Sequence, residues 1–337
     1  MSVSSILLAA AALFPAIVAV PGPKAAGRDP VVRPVHTYSI VARDPGTGQM
    51  GVAVQSHWFS VGSIVAWAEA GVGAVATQSL VDPAYGPLGL ELMRAGKSPG
   101  EALQGLLAAD PGSAVRQVGM VDATGRVAAH TGDRCIPEAG HHVGEGYTVQ
   151  ANLMERNTVW EAMATAYENA TGDLADRLIA ALGAAQAEKG DIRGQQSASI
   201  LIVAPTATGR VWEDRLFDLR VEDHPDPVGE LKRLVKVHKA YQHMNAGDLA
   251  LEHGDTGAAQ REYGAAESLM PDNLEMVFWH AVALANVGDI DGSLPLFKRI
   301  FKKDRNWAVL TPRLVPIELL KVSPEDLQRI LAQAPSR

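Results

Sequence analysis

Residues 37–57 read TYSIVARDPGTGQMGVAVQSH. From Thr37 to Ala42 polar residues alternate with β-favouring apolar ones, the period of a strand. Asp44, Pro45, Gly46, Thr47 and Gly48 follow. Proline presets φ for an early turn position and glycine accepts positive φ, so this run predicts a tight turn. QMGVAVQSH then returns as a second strand. An antiparallel hairpin in register brings Ser56 and His57, at the end of the second strand, back beside Thr37 at the start of the first.

The pattern extends outward from that hairpin. SIVAWAEA (63–70) and VGAVATQSL (72–80) read as two more strands. They carry few charges, as strands covered on both faces do. Residues 86–94 and 99–109 read as helices. In the second, Ser98 is placed to cap, Pro99 sits in the first turn, and Ala102, Leu103, Leu106 and Leu107 share one face. RQVGMVDATGRVAAHTG (116–132) predicts a second hairpin turning at Asp122, Ala123, Thr124 and Gly125. YTVQANL (147–153) is another strand, helices are expected at 159–169 and 173–188, and SASILIVAP and RLFDLRV close the series as strands. Helices outside two stacked, largely antiparallel sheets satisfy this order, which makes the class α+β. A doubly wound sheet does not, because strands do not alternate with single helices and no glycine-rich phosphate loop follows a strand.

Composition narrows the function. The chain has 337 residues, 47% apolar and 20% charged, with a formal charge of -8. A net acidic surface disfavours nucleic acid as a partner. No cofactor motif is present. The single cysteine, Cys135, cannot form an intrachain disulfide. Residues 6–20, ILLAAAALFPAIVAV, form an apolar run of signal-peptide length, followed by Ala25, Ala26 and Gly27 as an acceptable cleavage position, although no Lys or Arg precedes Lys24. The expectation is an exported protein, periplasmic or extracellular, with no membrane span in the mature chain.

The expected organisation is a signal peptide at 1–27, a proline-rich linker at 28–36, a first domain at 37–223, a linker at 224–237 around HPDPVGE, and a helical tail at 238–337. The tail repeats itself. Gly254 and Gly288, Asp255 and Asp289, Ala259 and Ser293, and Tyr263 and Phe297 each lie 34 residues apart. With Gly247, Ala266 and Pro271 in register, this resembles a tetratricopeptide repeat, although the second unit lacks the closing proline. An ordinary pair of helical hairpins would also fit.

TYSIVARDPGTGQMGVAVQS, WAEAGVGAVATQSLVDPAYGPLGLELM, VGMVDATGRVAAHTGDRCI, GQQSASILIV and DLRVEDHPDPVGEL occur in this order. Together they resemble the Ntn-hydrolase-like family catalogued as domain of unknown function 1028. The resemblance implies a four-layer αββα sandwich. It also implies a mechanism in which the first residue of the processed chain attacks an amide carbonyl while its own free α-amine takes the proton. Thr37 is the candidate nucleophile, and a cut between His36 and Thr37 is then required. Thr37 is equally a β-branched residue where strands usually carry one. Asn152 is a candidate oxyanion donor, and Gln78 and Ser56 complete the candidate catalytic set. His57, Ser79, His130 and Gln195 are candidate substrate-binding residues. Each also reads as an ordinary strand-end or loop residue.

HTGDRC places His130 and Cys135 close together, which opens thiol catalysis or, with His141 and His142, a zinc site. The spacings match no zinc motif, and no metal is expected. Two functions follow. One is an exported amidohydrolase of Ntn type acting on a small amide or peptide. The other is a non-catalytic αββα scaffold whose helical tail binds a protein or peptide. The sequence is compatible with a homo-oligomer.

Overall fold

The computed structural model describes residues 34–35 and 37–335. The expected signal peptide and most of the linker at 28–36 lie outside the described residues. The strands are β1 (Pro34–Val35), β2 (Thr37–Arg43), β3 (Met50–Ser56), β4 (Ala66–Glu69), β5 (Gly73–Leu80), β6 (Arg116–Asp122), β7 (Val127–Thr131), β8 (Gly140–Gly144), β9 (Tyr147–Ala151), β10 (Ser197–Val203) and β11 (Arg215–Val221). They form two antiparallel sheets. One is ordered β11-β10-β3-β2-β9-β8; the other runs β1-β5-β6-β7, with β4 also on β5. The fold class is mixed α+β with a helical C-terminal region.

The decisive hairpin forms as its alternation dictates. Thr37 pairs with Ser56 and Arg43 with Met50. Every residue from Thr37 to Ala42 is buried, because both faces of the strand are covered. Tyr38, Ile40 and Ala42 join a core under the helices α4 (Val159–Asn169), α5 (Leu174–Ala187) and α7 (Pro227–Glu252). Val41, Val52 and Val54 instead meet Ala74, Ala76 and Val121 of the other sheet. The outer face of that second sheet is covered by α2 (Tyr85–Arg94) and α3 (Pro99–Ala109), through Leu90, Met93, Ala102 and Leu103. Ser98 and Glu101 form a capping box at the start of α3, and Asp173 and Asp176 form one at α5. Each box satisfies two helix-end N–H groups.

Three elements differ from expectation. The strand expected over residues 63–70 is half helix. A helical turn α1 (Gly62–Val65) comes first and only Ala66–Glu69 is extended. The indole of Trp67 donates to the Ile64 carbonyl at 3.0 Å, which fastens this turn as the chain passes from one sheet to the other. The strand β8 was not expected. It is an edge strand whose burial alternates between half-buried and exposed, so it carries no apolar signal. Residues 224–237 are mostly helix rather than linker. Asp226 caps Gly229 N at 3.0 Å, Pro227 opens α7, and Val228, Leu231 and Val235 join the core of the six-stranded sheet. A short helix α6 (Val211–Asp214) precedes β11.

The C-terminal helices are α8 (Thr256–Leu269), α9 (Leu274–Asn286), α10 (Ile290–Lys303), α11 (Asn306–Leu310) and α12 (Pro324–Leu331). Positions 34 residues apart play the same parts. Gly254 and Gly288 have φ of 75° and 87°. Asp255 and Asp289 cap the following helix at 2.9 Å. Tyr263 and Phe297 are both buried.

The sheets approach closely where side chains are small. A Cβ on Gly119 of β6 would lie 2.3 Å from Gln150 Oε1 on β9. Glycine therefore makes room for a carboxamide of the facing sheet. Gly119→Ala is expected to cost about 1–3 kcal/mol, the usual penalty of overpacking. Urea denaturation measures this, and a change below about 0.5 kcal/mol would show that the two sheets are not held at this spacing.

Candidate active site

One end of the paired sheets is polar. Here β2, β6 and β10 begin and β3, β5 and β9 end. Backbone strain gathers at the same end. Ser60, Ser79, Glu138, Leu153 and Lys189 have φ of 56°, 71°, 51°, 57° and 80°, and all lie at or just beyond strand or helix ends there. Among the described residues only Glu318, in the tail, shares this geometry without being glycine. Each such residue costs on the order of 1 kcal/mol, and strain of this kind concentrates at functional sites.

Thr37 lies at the centre of this end and is fully buried. Its carbonyl accepts from three donors: Asn152 N at 3.1 Å, Gln78 Nε2 at 3.0 Å and Asn152 Nδ2 at 3.4 Å. Its hydroxyl lies 3.2 Å from Ser56 Oγ. Gln78 reaches this carbonyl from the other sheet. The same amide also donates to Gln117 Oε1 at 2.7 Å. Gln117 Oε1 accepts from Asn152 Nδ2 at 2.8 Å as well. Ser39 Oγ donates to Gln78 Oε1 at 2.6 Å and accepts from Gln150 Nε2 at 2.6 Å. The result is a buried lattice of hydroxyls and carboxamides spanning both sheets.

Of the residues singled out in the sequence, Thr37, Ser56, Gln78 and Asn152 are thus brought together. The amide of Asn152 donates to Thr37 O and Gln117 Oε1. Ser79 follows Gln78 on β5 and pairs with Val35. His57 and Gln195 adjoin the same end. His57 N donates to Asp191 Oδ2 at 3.3 Å, and its ring Nδ1 lies 3.4 Å from Gln195 O. The buried Asp191 carboxylate is also paired with Arg193 at 2.7 Å. Gln195 Oε1 is buried with no hydrogen-bond partner. Ser56 O accepts from Gln196 N at 3.1 Å. Ser197 Oγ donates to Trp58 O and accepts from Val61 N, which fixes the turn after β3.

His130 stands apart. Its ring Nε2 lies 3.0 Å from Ser113 O. The zinc grouping does not assemble. His141 contacts Thr131 Oγ1 at 2.8 Å and His142 contacts Glu161 at 2.9 Å. Among the described residues no group of three or more His, Cys, Asp or Glu is placed to hold a metal ion. The Cys135 thiol donates to Arg116 O at 3.4 Å, and burial pushes its pKa up. A thiol kept protonated is a poor nucleophile.

Sequence reading missed Gln117, Gln150 and Ser39. Each shows only as one polar residue among others in a strand of mixed character. A groove of about 820 Å³ between α5 and α7, lined by Ile179, Val228, Val235 and Leu269, shares no lining residue with the lattice around Thr37.

A family model described as a family of unknown function, DUF1028, matches residues 37–231. The chain belongs to the DUF1028 family. The match begins at Thr37 and ends within α7, so α8 to α12 lie beyond it. The DUF1028 chain is also similar to a crystal structure, protein SPO2555 from Silicibacter pomeroyi, itself described as DUF1028. That protein is 30% identical, with a TM-score of 0.55, over 67% of this chain and 94% of that one. No curated protein matches.

The end of β5 beside the site is clamped by an ion pair between buried Arg116 and half-buried Asp110. Arg116 Nε lies 2.7 Å from Asp110 Oδ2, and the guanidinium also donates to Leu80 O. Burial pushes the Asp110 carboxyl up. Hydrogen bonds from Arg116, the Gly112 backbone and Tyr85 outweigh burial and hold its pKa below the usual carboxylate value. A depressed folded pKa means stabilisation that is full above the unfolded pKa of about 3.9 and is lost as the pH falls through the folded one. Asp110→Asn should therefore cost about 3–5 kcal/mol at neutral pH, since it leaves a buried guanidinium unpaired. It should also flatten the acid limb of stability below about pH 4. Urea melts from pH 3 to 7 check both, and an unchanged acid limb would show that the pair does not carry this dependence.

Proposed function

We propose that this DUF1028 chain is an exported amidohydrolase of the Ntn type, with Thr37 as nucleophile after cleavage between His36 and Thr37. On this reading the two sheets and their outer helices form an αββα sandwich, and the 34-residue period of the tail is a tetratricopeptide-like repeat that serves it. One observation carries the reading. The residue that opens β2 has its carbonyl clamped by three donors, inside a buried lattice of hydroxyls and carboxamides. Such groups fix geometry but are weak bases at neutral pH. A freed α-amine on Thr37, with an ordinary pKa of about 7.7–8.0, is the base this residue would carry with it.

The step is an acyl transfer. Thr37 Oγ attacks the amide carbonyl carbon, and its proton passes through the α-amine to the departing nitrogen. The C–N bond breaks, an ester to Thr37 forms, and water hydrolyses that ester. Gln78 and Asn152 act as positioning residues by holding Thr37 O. Ser56, 3.2 Å from the hydroxyl, aligns it. Gln195 Oε1, buried without a partner, offers an acceptor for a substrate N–H.

A non-catalytic scaffold with a binding tail is the second reading. It is favoured by the strand β1, which precedes Thr37 and pairs with β5. A peptide-bonded nitrogen at Thr37 is not basic. N-terminal sequencing and intact mass of the exported protein separate the two. The hydrolase reading expects a chain starting at Thr37, with turnover rising as pH passes about 8 because the amine must lose its proton. Thr37→Ala in that chain should abolish turnover and leave the urea melt within about 1 kcal/mol. A fully active chain that still carries His36 would overturn it.

A further inference from the structure

We infer that the edge of β5 at Ser79–Leu80 is the acyl-side subsite, and that the substrate is an extended peptide whose residues before the cleaved amide pair there as a strand. This rests on the proposed function above and names its substrate class. The edge of β5 is shared by two strands. β4 takes the first half, from Gly73 opposite Glu69 to Ala76 opposite Ala66. β1 takes the last two residues, with Val35 opposite Ser79 and Pro34 opposite Leu80. A short peptide segment is therefore already seated on that stretch, and a single residue separates it from Thr37 in the sequence. On this inference it marks the place for the acyl side of a peptide attacked by Thr37.

Three features make the stretch a built site. The opposite edge of β5 is held in register by β6, with Ser79 opposite Arg116. Leu80 O is clamped by Arg116, whose charge is met by Asp110. Gln78, the next residue along β5, donates to Thr37 O at 3.0 Å, so the subsite and the nucleophile share one fixed strand. A two-residue ladder is too short to persist once it is severed from β2, because isolated strand pairs are marginal. Cutting before Thr37 would expose an edge, and edges recruit extended peptides through main-chain hydrogen bonds. Such a subsite tolerates many side chains and demands an L-peptide in strand conformation. A simple amide would miss it.

The test uses the chain beginning at Thr37, released from a cleavable fusion, and its Thr37→Ala form. The probes are the anilides of acetyl-Arg-Pro-Val-His, which repeats residues 33–36, of the same peptide with D-valine, and of acetyl-His alone. Expected are a KM for the L-peptide at least tenfold below that of the other two, and the same order of Kd in the Thr37→Ala form, whose fold is checked by circular dichroism. Equal KM and Kd for all three probes, with turnover intact, would overturn the subsite and leave the hydrolase standing. No turnover of any probe, with the L-peptide still bound at least tenfold more tightly, would overturn the hydrolase and keep the subsite.

Discussion

The Thr37 carbonyl and its three donors are the constraint on which the polar end depends. Two sheets packed by Val and Ala alone have no directional contact to fix how they sit. Gln78 supplies one, because it leaves β5 and donates to a carbonyl on β2. In a low-dielectric interior such an amide must be satisfied completely, or the burial costs more than the contact returns. Gln78, Gln117 and Asn152 meet that demand by donating to a neighbouring carboxamide or to backbone carbonyls, and Gln150 by donating to the Ser39 hydroxyl. The opposite end of the interface, built from Val41, Val52, Ala74 and Val121, supplies area without direction. Apolar burial holds the sheets together, and the carboxamides orient them.

That division explains what could be read from the sequence. The hairpin 37–57 was legible because alternation and turn chemistry are local, and so were the capped helix at 99–109 and the strand at 197–203. The lattice was not. Ser39 and Gln78 are 39 residues apart and Ser39 and Gln150 are 111 apart. No local pattern encodes such pairings, and an internal glutamine in a strand looks the same whether it meets water or another amide. Gly119 is the complement of this, since its smallness has a reason only once Gln150 is opposite. β8 and β1 were invisible for a different cause. Edge strands carry exposed or proline-containing sequence, which is what keeps edges from aggregating.

The helical region shows the reverse case, where a long-range regularity was plain in the sequence. Its period survives into structure because each unit repeats one local solution: a glycine at positive φ, an aspartate cap, and an aromatic against the neighbouring helix. Tyr263 packs on Gly247, where a Cβ would come within 2.8 Å of the ring. The pattern breaks where Pro271 has no counterpart, at Arg305. There the chain turns into α11 and α12, whose Trp307 and Ile330 close the last apolar cluster. What the period did not show is that α7 belongs to both parts. Val228 and Val235 lie in the sheet core, while Ala240 and Met244 lie in the first tail cluster. One continuous helix, Pro227–Glu252, runs through the stretch where prolines and charges suggested a linker.

On the proposed reading, chemistry and access at Thr37 are two effects of one bond. While residue 36 is joined to Thr37, the nitrogen is an amide and cannot take a proton, and the strand before it covers Ser79 and Leu80. Hydrolysis of that bond would create the base and uncover the edge together. The lattice around Thr37 O need not change, because its donors hold the carbonyl side of the residue and not the side that is cut. A site clamped through the carbonyl is therefore preorganised before it can act, and its activity would be set by the covalent state of the nitrogen rather than by any rearrangement of the sheets.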